Sequence, residues 1–256
     1  MGSAGVPSRR VRWAPDEGVR WAAGCVRGRS VSDSAVVVAI RPVPRAWGVD
    51  AALLGGFLAI TAALLWWPPL LRLDVAVRDL SDGHRPAAAY WTAWLFNHLG
   101  QGTPLAVLAL VIAIVLAVRA RTVRPVLPVL AAELLTYGVL GPLKLGTERA
   151  APHYGAVELF ATPGQQSYPS GHLVNTIVWY AVLAALLASY LPARVLTAVR
   201  VVPVVATSIT TVYLGYHWLT DTIAGLLLGV LLCRILARIP WHRIPLPAAL
   251  DRPHRP

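Results

Sequence analysis

The sequence predicts an all-α, polytopic membrane protein with six transmembrane helices plus an interfacial helix. Three observations carry that expectation. Hydrophobic residues fill 56% of the 256 positions and charged residues only 14%, well under the roughly 25% of a soluble domain. Mean hydropathy is +0.58. Six stretches approach the ~20 mostly apolar residues that a bilayer crossing needs, and the polar residues gather between them.

Residues 1–47 are rich in Arg, Gly and Pro. Their longest apolar patch, Ala35–Ile40, is too short to cross a bilayer and is followed by Pro42 and Pro44. A disordered basic cytoplasmic tail is expected there. The membrane domain should occupy 48–239, with spans near 49–67, 103–119, 125–143, 171–190, 195–215 and 218–237. A short basic tail, 240–256, should follow it. Between the first two spans, 68–102 carries Asp74, Arg78, Asp79, Asp82 and Arg85. Its later part, Ala87–Phe96, is apolar but short. Its Tyr90, Trp91 and Trp94 suit the headgroup level, so an interfacial helix is expected.

Arginine placement sets the orientation. With both termini cytoplasmic, the two tails, the 119–124 turn, the 191–200 region and Arg234 and Arg238 before the C-terminal tail together place 18 of 23 basic residues inside, as the positive-inside rule prefers. Residues 144–170 and the 215–218 turn then share the outer face. The Ala and Arg bias fits GC-rich coding, hence a bacterial plasma membrane. A net charge of +11 would suggest nucleic acid in a soluble chain. Here no soluble basic domain or aromatic reading surface accompanies it, so no nucleic-acid partner is expected. Cys25 and Cys233 supply neither a disulfide framework nor metal-ligand spacing.

Three polar stretches meet on the outer face. His217 and Asp221 stand four apart at a helix start, hence on one face. A carboxylate there can take the proton of one imidazole nitrogen and leave the other free to attack. A headgroup-level histidine beside an aspartate favoured by the helix macrodipole accounts for the pair equally well. Pro169-Ser170-Gly171-His172 opens the fourth span. Serine suits a cap, glycine lets backbone approach a ligand, and unpaired N–H groups at a helix start bind phosphate. A simple capped helix with a wet histidine reads the same residues without a ligand. Lys144 is the only lysine among 23 basic residues. A chain that otherwise uses arginine suggests a compact ammonium is wanted at that spot. Snorkelling is the alternative, though arginine snorkels equally well.

With these stretches in order, residues 49–237 resemble the type-2 phosphatidic acid phosphatase family, membrane relatives of acid phosphatases and vanadium haloperoxidases. That family's pattern is Lys-x6-Arg-Pro, then Pro-Ser-Gly-His, then Ser-Arg-x5-His-x3-Asp. The second motif and the His217-x3-Asp221 part of the third are complete here. The resemblance implies that His217 is the nucleophile forming a phosphohistidine. Asp221 would orient it, and His172 would protonate the leaving group. Lys144, Ser170 and Gly171 match phosphate-binding positions. The implied substrate is a lipid phosphate or polyprenyl pyrophosphate presented by the bilayer, and the resemblance implies no metal and no cofactor. Two positions depart from the pattern: Ala151 stands for the first-motif arginine, although Pro152 follows it, and Thr210-Thr211 stand for Ser-Arg. Arg149, two residues before Ala151, is the expected substitute at the phosphate, with His153 a further source of charge; since many family members carry an arginine at this point too, the alternative is a retained group behind the site. Without the arginine pair, a lipid phosphotransferase or a non-catalytic membrane protein are the alternatives. Tyr168, Asn175 and Thr176 lie close enough to shape specificity, or simply pack. Glu133 and Tyr137 could line a lipid entry.

Overall fold

The structure, a computed structural model, describes residues 47–251. The tail expected over 1–47 lies outside the described residues except for Trp47, as do the last five residues of the 240–256 tail. Eight α-helices follow one another: α1 (Trp47–Trp66), α2 (Pro68–Gly83), α3 (Ala87–Asn97), α4 (Gly102–Ala120), α5 (Leu127–Thr147), α6 (Gly171–Leu186), α7 (Ala193–Tyr213) and α8 (Leu219–Ala237). Short 3₁₀ turns occupy His98–Gly100, Arg124–Val126 and Trp241–Arg243. Among the described residues, the only β-type pairing is an isolated bridge between Thr122 and Asp251.

All six expected spans are helices. Five helical segments are long and apolar enough to cross a membrane: Trp47–Trp66, Gly102–Ala120, Arg124–Thr147, Ala193–Tyr213 and Leu219–Arg243. The sixth, α6, has 16 residues and ends before the position 190 expected of it. At 1.5 Å per residue it is about 24 Å long, short of the ~30 Å hydrocarbon core. Pro192 disfavours helical geometry at Leu191, and the chain turns over Leu187–Tyr190. The shortness suits its place. α6 packs against α4, α5, α7 and α8, and Leu173, Val174, Val178 and Trp179 are fully buried. A helix wrapped by protein need not match the lipid thickness.

Sequence periodicity missed α2. Pro68 and Pro69 fit its first turn, where no intrahelical N–H is needed. Leu70 and Leu71 pack on the core, while Asp79 and Asp82 face outward. Asp74 is its one buried residue. The interfacial helix expected over 87–96 is α3. Trp91, Leu95 and Phe96 are exposed on it, whereas Ala93 and Asn97 are buried on a helix packed against α7.

Two features set the geometry of the ends. Where α8 meets the start of α6, a Cβ on Gly225 would stand 2.7 Å from the Ser170 carbonyl oxygen. Only glycine allows that approach. At the opposite end, Asp50 of α1 accepts from Arg234 Nε of α8 at 2.6 Å and from Nη2 of Arg238, the residue that follows α8. Arg124 donates to Asp251 and to the Trp241 carbonyl, which ties residues 241–251 to the α4–α5 turn.

Candidate active site

The three polar stretches come together at the end of the bundle where α5 and α7 finish and α6 and α8 begin. Ser170 caps α6, its hydroxyl accepting from Leu173 N–H at 3.4 Å. Its own N–H donates to the Asp221 carbonyl at 3.0 Å, so the second and third stretches share a backbone bond. Lys144, in the last turn of α5, lies along Gly171. A Cβ there would stand 3.1 Å from Lys144 Cε. Its ammonium donates to the Gln166 carbonyl.

His217 occupies the turn between α7 and α8 and is 6% exposed. Its Nε2 stands 3.3 Å from His172 Nδ1. Tyr216 stacks on the far side of the His172 ring, with centroids 6.2 Å apart. The other nitrogen, His217 Nδ1, is 3.6 Å from Asp221 Oδ2, beyond a good hydrogen bond. Ser167 fills the interval. Its hydroxyl donates to Asp221 Oδ2 at 2.5 Å and lies 3.2 Å from His217 Nδ1. A hydroxyl can donate and accept at once. The chain Nδ1–H to Ser167 to Asp221 therefore fixes a tautomer that leaves Nε2 unprotonated and facing His172. Burial lowers the His217 pKa below that of a free imidazole; Asp221 pulls the other way and the Lys144 charge adds to the lowering. The neutral, nucleophilic form is thereby favoured.

Asp221 is fully buried and uses both oxygens. Oδ2 also accepts from Trp218 N–H at 3.1 Å. Oδ1 accepts from Arg149 Nη1 at 2.5 Å. Arg149 is itself fully buried. Its remaining donors reach Thr220 Oγ1 at 2.8 Å, Asp74 Oδ2 at 2.6 Å and the Val157 carbonyl at 2.6 Å. Its place differs from the one expected at the phosphate. It lies on the Oδ1 side of Asp221, whereas Ser167 and His217 lie on the Oδ2 side, and protein oxygens take its N–H groups.

The positions that depart from the family pattern are not refilled by charge. Thr211 Oγ1 donates back to the Thr207 carbonyl at 2.7 Å, a common habit of helical threonines. His153 Nε2 stands 3.5 Å from Asp82. Of the residues near the second stretch, Tyr168 is fully buried, bonds to Thr61 at 2.6 Å and stacks on Phe57. Thr176 donates to the His172 carbonyl. Both are packing residues. Asn175 Oδ1 is buried without a hydrogen-bond partner. Glu133 Oε2 is likewise unpartnered within α5, and Tyr137 is half exposed.

Sequence reasoning missed Ser167, Asp74 and Thr220. Only Ser167 carried a usable signal, a hydroxyl three residues before Ser170 on the approach to the same turn. No group of His, Cys, Asp and Glu among the described residues has metal-binding geometry.

The stretches that build this arrangement lie within a region similar to known proteins. Residues 125–245 match the family model described as PAP2 superfamily. Phosphatidylglycerophosphatase B of Bacillus subtilis (strain 168) is 34% identical over 95 residues, which cover 35% of this chain and 45% of that protein. The aligned stretch thus spans under half the length of that relative. A crystal structure of a transmembrane PAP2 type phosphatidylglycerolphosphate phosphatase from Bacillus subtilis superposes with a TM-score of 0.63 at 26% identity, covering 73% of this chain and 93% of that one. The matched region, just under half of the chain, holds the ends of α5, α6 and α8 that build the site, and in sequence, fold and motif order alike it is similar to the PAP2 superfamily.

Proposed function

We propose that this protein dephosphorylates a membrane lipid phosphate, or an isoprenoid pyrophosphate, through a phosphohistidine on His217. The supporting observation is the pair of imidazoles: Nε2 of His217 faces His172 at 3.3 Å, while Nδ1 is held from behind by Ser167 and Asp221. In the reaction, Nε2 attacks phosphorus as the bond to the lipid oxygen breaks. His172 gives its proton to that departing oxygen. Water then attacks the phosphohistidine, His172 takes a proton from it, and the P–N bond breaks to release inorganic phosphate. Lys144 and the free N–H groups at the start of α6, beside Ser170 and Gly171, supply positive potential for the phosphoryl oxygens. The arginine distribution puts this end on the outer face with both termini inside. The relative's name favours phosphatidylglycerophosphate as the first substrate to try.

One experiment tests the reading. Purified protein is supplied with phosphatidylglycerophosphate, phosphatidic acid and an isoprenyl pyrophosphate, and released phosphate is measured. Release that vanishes in His217→Ala supports hydrolysis. Label moving to a second lipid instead would favour a phosphotransferase, a reading to which the uncharged Ala151 and Thr211 positions lend weight. No turnover at all would leave a non-catalytic protein.

A further inference from the structure

We propose that Asp74 is a positioning residue for the nucleophile, acting on Asp221 through Arg149 and Thr220. The proposal rests on His217 being that nucleophile. Asp74 sits on α2, outside all three polar stretches. It is 1% exposed, and Arg149 and Asp221 are fully buried. Arg149 lies between the two carboxylates, donating to Asp74 Oδ2 at 2.6 Å and to Asp221 Oδ1 at 2.5 Å. Asp74 also holds the residue next to Asp221. Its Oδ1 accepts from Thr220 N–H at 3.0 Å and its Oδ2 from Thr220 Oγ1 at 2.5 Å. Three bonds thus tie α2 to the first turn of α8 and to the guanidinium behind it, two from Thr220 to Asp74 and one from Arg149 to Asp74; a fourth joins Arg149 to Asp221.

Charge gives the arrangement its purpose. Burying ionised groups is costly unless they are paired and hydrogen-bonded. One guanidinium with one aspartate would form a neutral pair. Adding Asp74 leaves the buried triad with one net negative charge, on the side of Asp221 opposite the imidazole. Asp74 also occupies the second arm of the guanidinium and stops it from swinging. The Oδ2 edge of Asp221 stays free for Ser167 and the Trp218 N–H. In this account Arg149 is a strut for Asp221 and not a phosphate ligand. The groups facing His217 are then Asp221 of α8, Ser167 of the preceding loop, His172 of α6 and Lys144 of α5. Asp74 acts on it only through the triad.

The test reads His217 directly. Full-length protein carrying ¹⁵N-labelled histidine in lipid nanodiscs is titrated by NMR, with His217→Gln used to assign the signal. Asp74→Asn removes one negative charge and should lower the His217 pKa by about one unit. Arg149→Met removes one positive charge and should raise it by a similar amount. The double variant should return toward wild type. A residue that merely supported the fold would not produce shifts of opposite sign. In the hydrolysis assay, Thr220→Val, which keeps every charge, should lower kcat about tenfold with KM unchanged. A His217 titration identical in wild type, Asp74→Asn and Arg149→Met overturns the proposal. If Asp74→Asn does not fold, Arg149→Met and Thr220→Val decide it: no upward shift in the first and unchanged kcat in the second would sink it. Wild-type protein that releases no phosphate from any substrate, yet shows the opposed shifts, removes the hydrolase reading and leaves the coupling standing.

Discussion

Each end of the helix bundle holds an aspartate–arginine cluster, and the two are inverted in stoichiometry. At the His217 end one arginine serves two aspartates, and all three side chains are completely buried. At the opposite end one aspartate, Asp50, serves Arg234 and Arg238, with side-chain exposures of 11%, 16% and 17%. Arg238 also lies over the Trp47 ring at 4.6 Å. The same two residue types do different work. Surplus carboxylate in a dry setting leaves an acceptor oxygen for a histidine to lean on through Ser167. Surplus guanidinium at a wetter edge staples α1 to α8 and keeps positive charge at the membrane surface. The first arrangement is costly and serves chemistry; the second is a fastening.

Five predictions would break or sharpen that contrast. The largest effect should come from Lys144→Ala. Removing the lone ammonium over Gly171 should cut phosphate release about 10²-fold, and unchanged turnover would take it out of the site. Next, Ser167→Ala should reduce kcat about tenfold at constant KM, since Nδ1 of His217 would lose its relay to Asp221. Wild-type kcat against pH bears on the same end. His217 must be neutral to attack, and its pKa lies below the usual value of about 6.5. The acidic limb should therefore fall below that value, with the rate lost as pH drops through the lowered pKa; a limb at or above it would contradict the buried geometry. Fourth, Ala151→Arg combined with Thr211→Arg should raise release a few-fold if the site is merely short of charge; a fall would indicate repurposed chemistry. Last and smallest at the site, Asp50→Asn should leave kcat within error while lowering Tm. A loss of activity at unchanged Tm would erase the distinction between the two ends.

Much of this was legible in the residues. Apolar runs separated by arginines located α1 and α4 through α8, and the tryptophans of 87–96 located α3. The Pro-Ser-Gly-His and His-x3-Asp spacings brought His172, His217 and Asp221 to one end. What escaped has physical reasons. α2 was hidden because its charges, Asp74 through Asp82, look like a loop when the partner that buries one face is unknown. For the same reason Asp74 was indistinguishable from its exposed neighbour Asp79, although one is 1% exposed and the other lies on the surface. Arg149 misled because spacing along a chain tells that a guanidinium is near a site, not which oxygens claim it. Ser167 needed the measured gap of 3.6 Å between His217 Nδ1 and Asp221 before a bridging hydroxyl had a role. The early end of α6 had a local signal in Pro192, but that a helix of 16 residues suffices there depends on burial on all sides, which no single segment reports.

The central claim is that His217 carries the phosphoryl group in transit. Rapid-quench labelling at alkaline pH, followed by peptide mass spectrometry, tests it most directly with phosphatidylglycerophosphate as donor. A transient phosphoryl adduct on His217, accumulating in His172→Ala and absent in His217→Gln, is the predicted result. Continued phosphate release by His217→Gln, or an adduct on another residue, would contradict it.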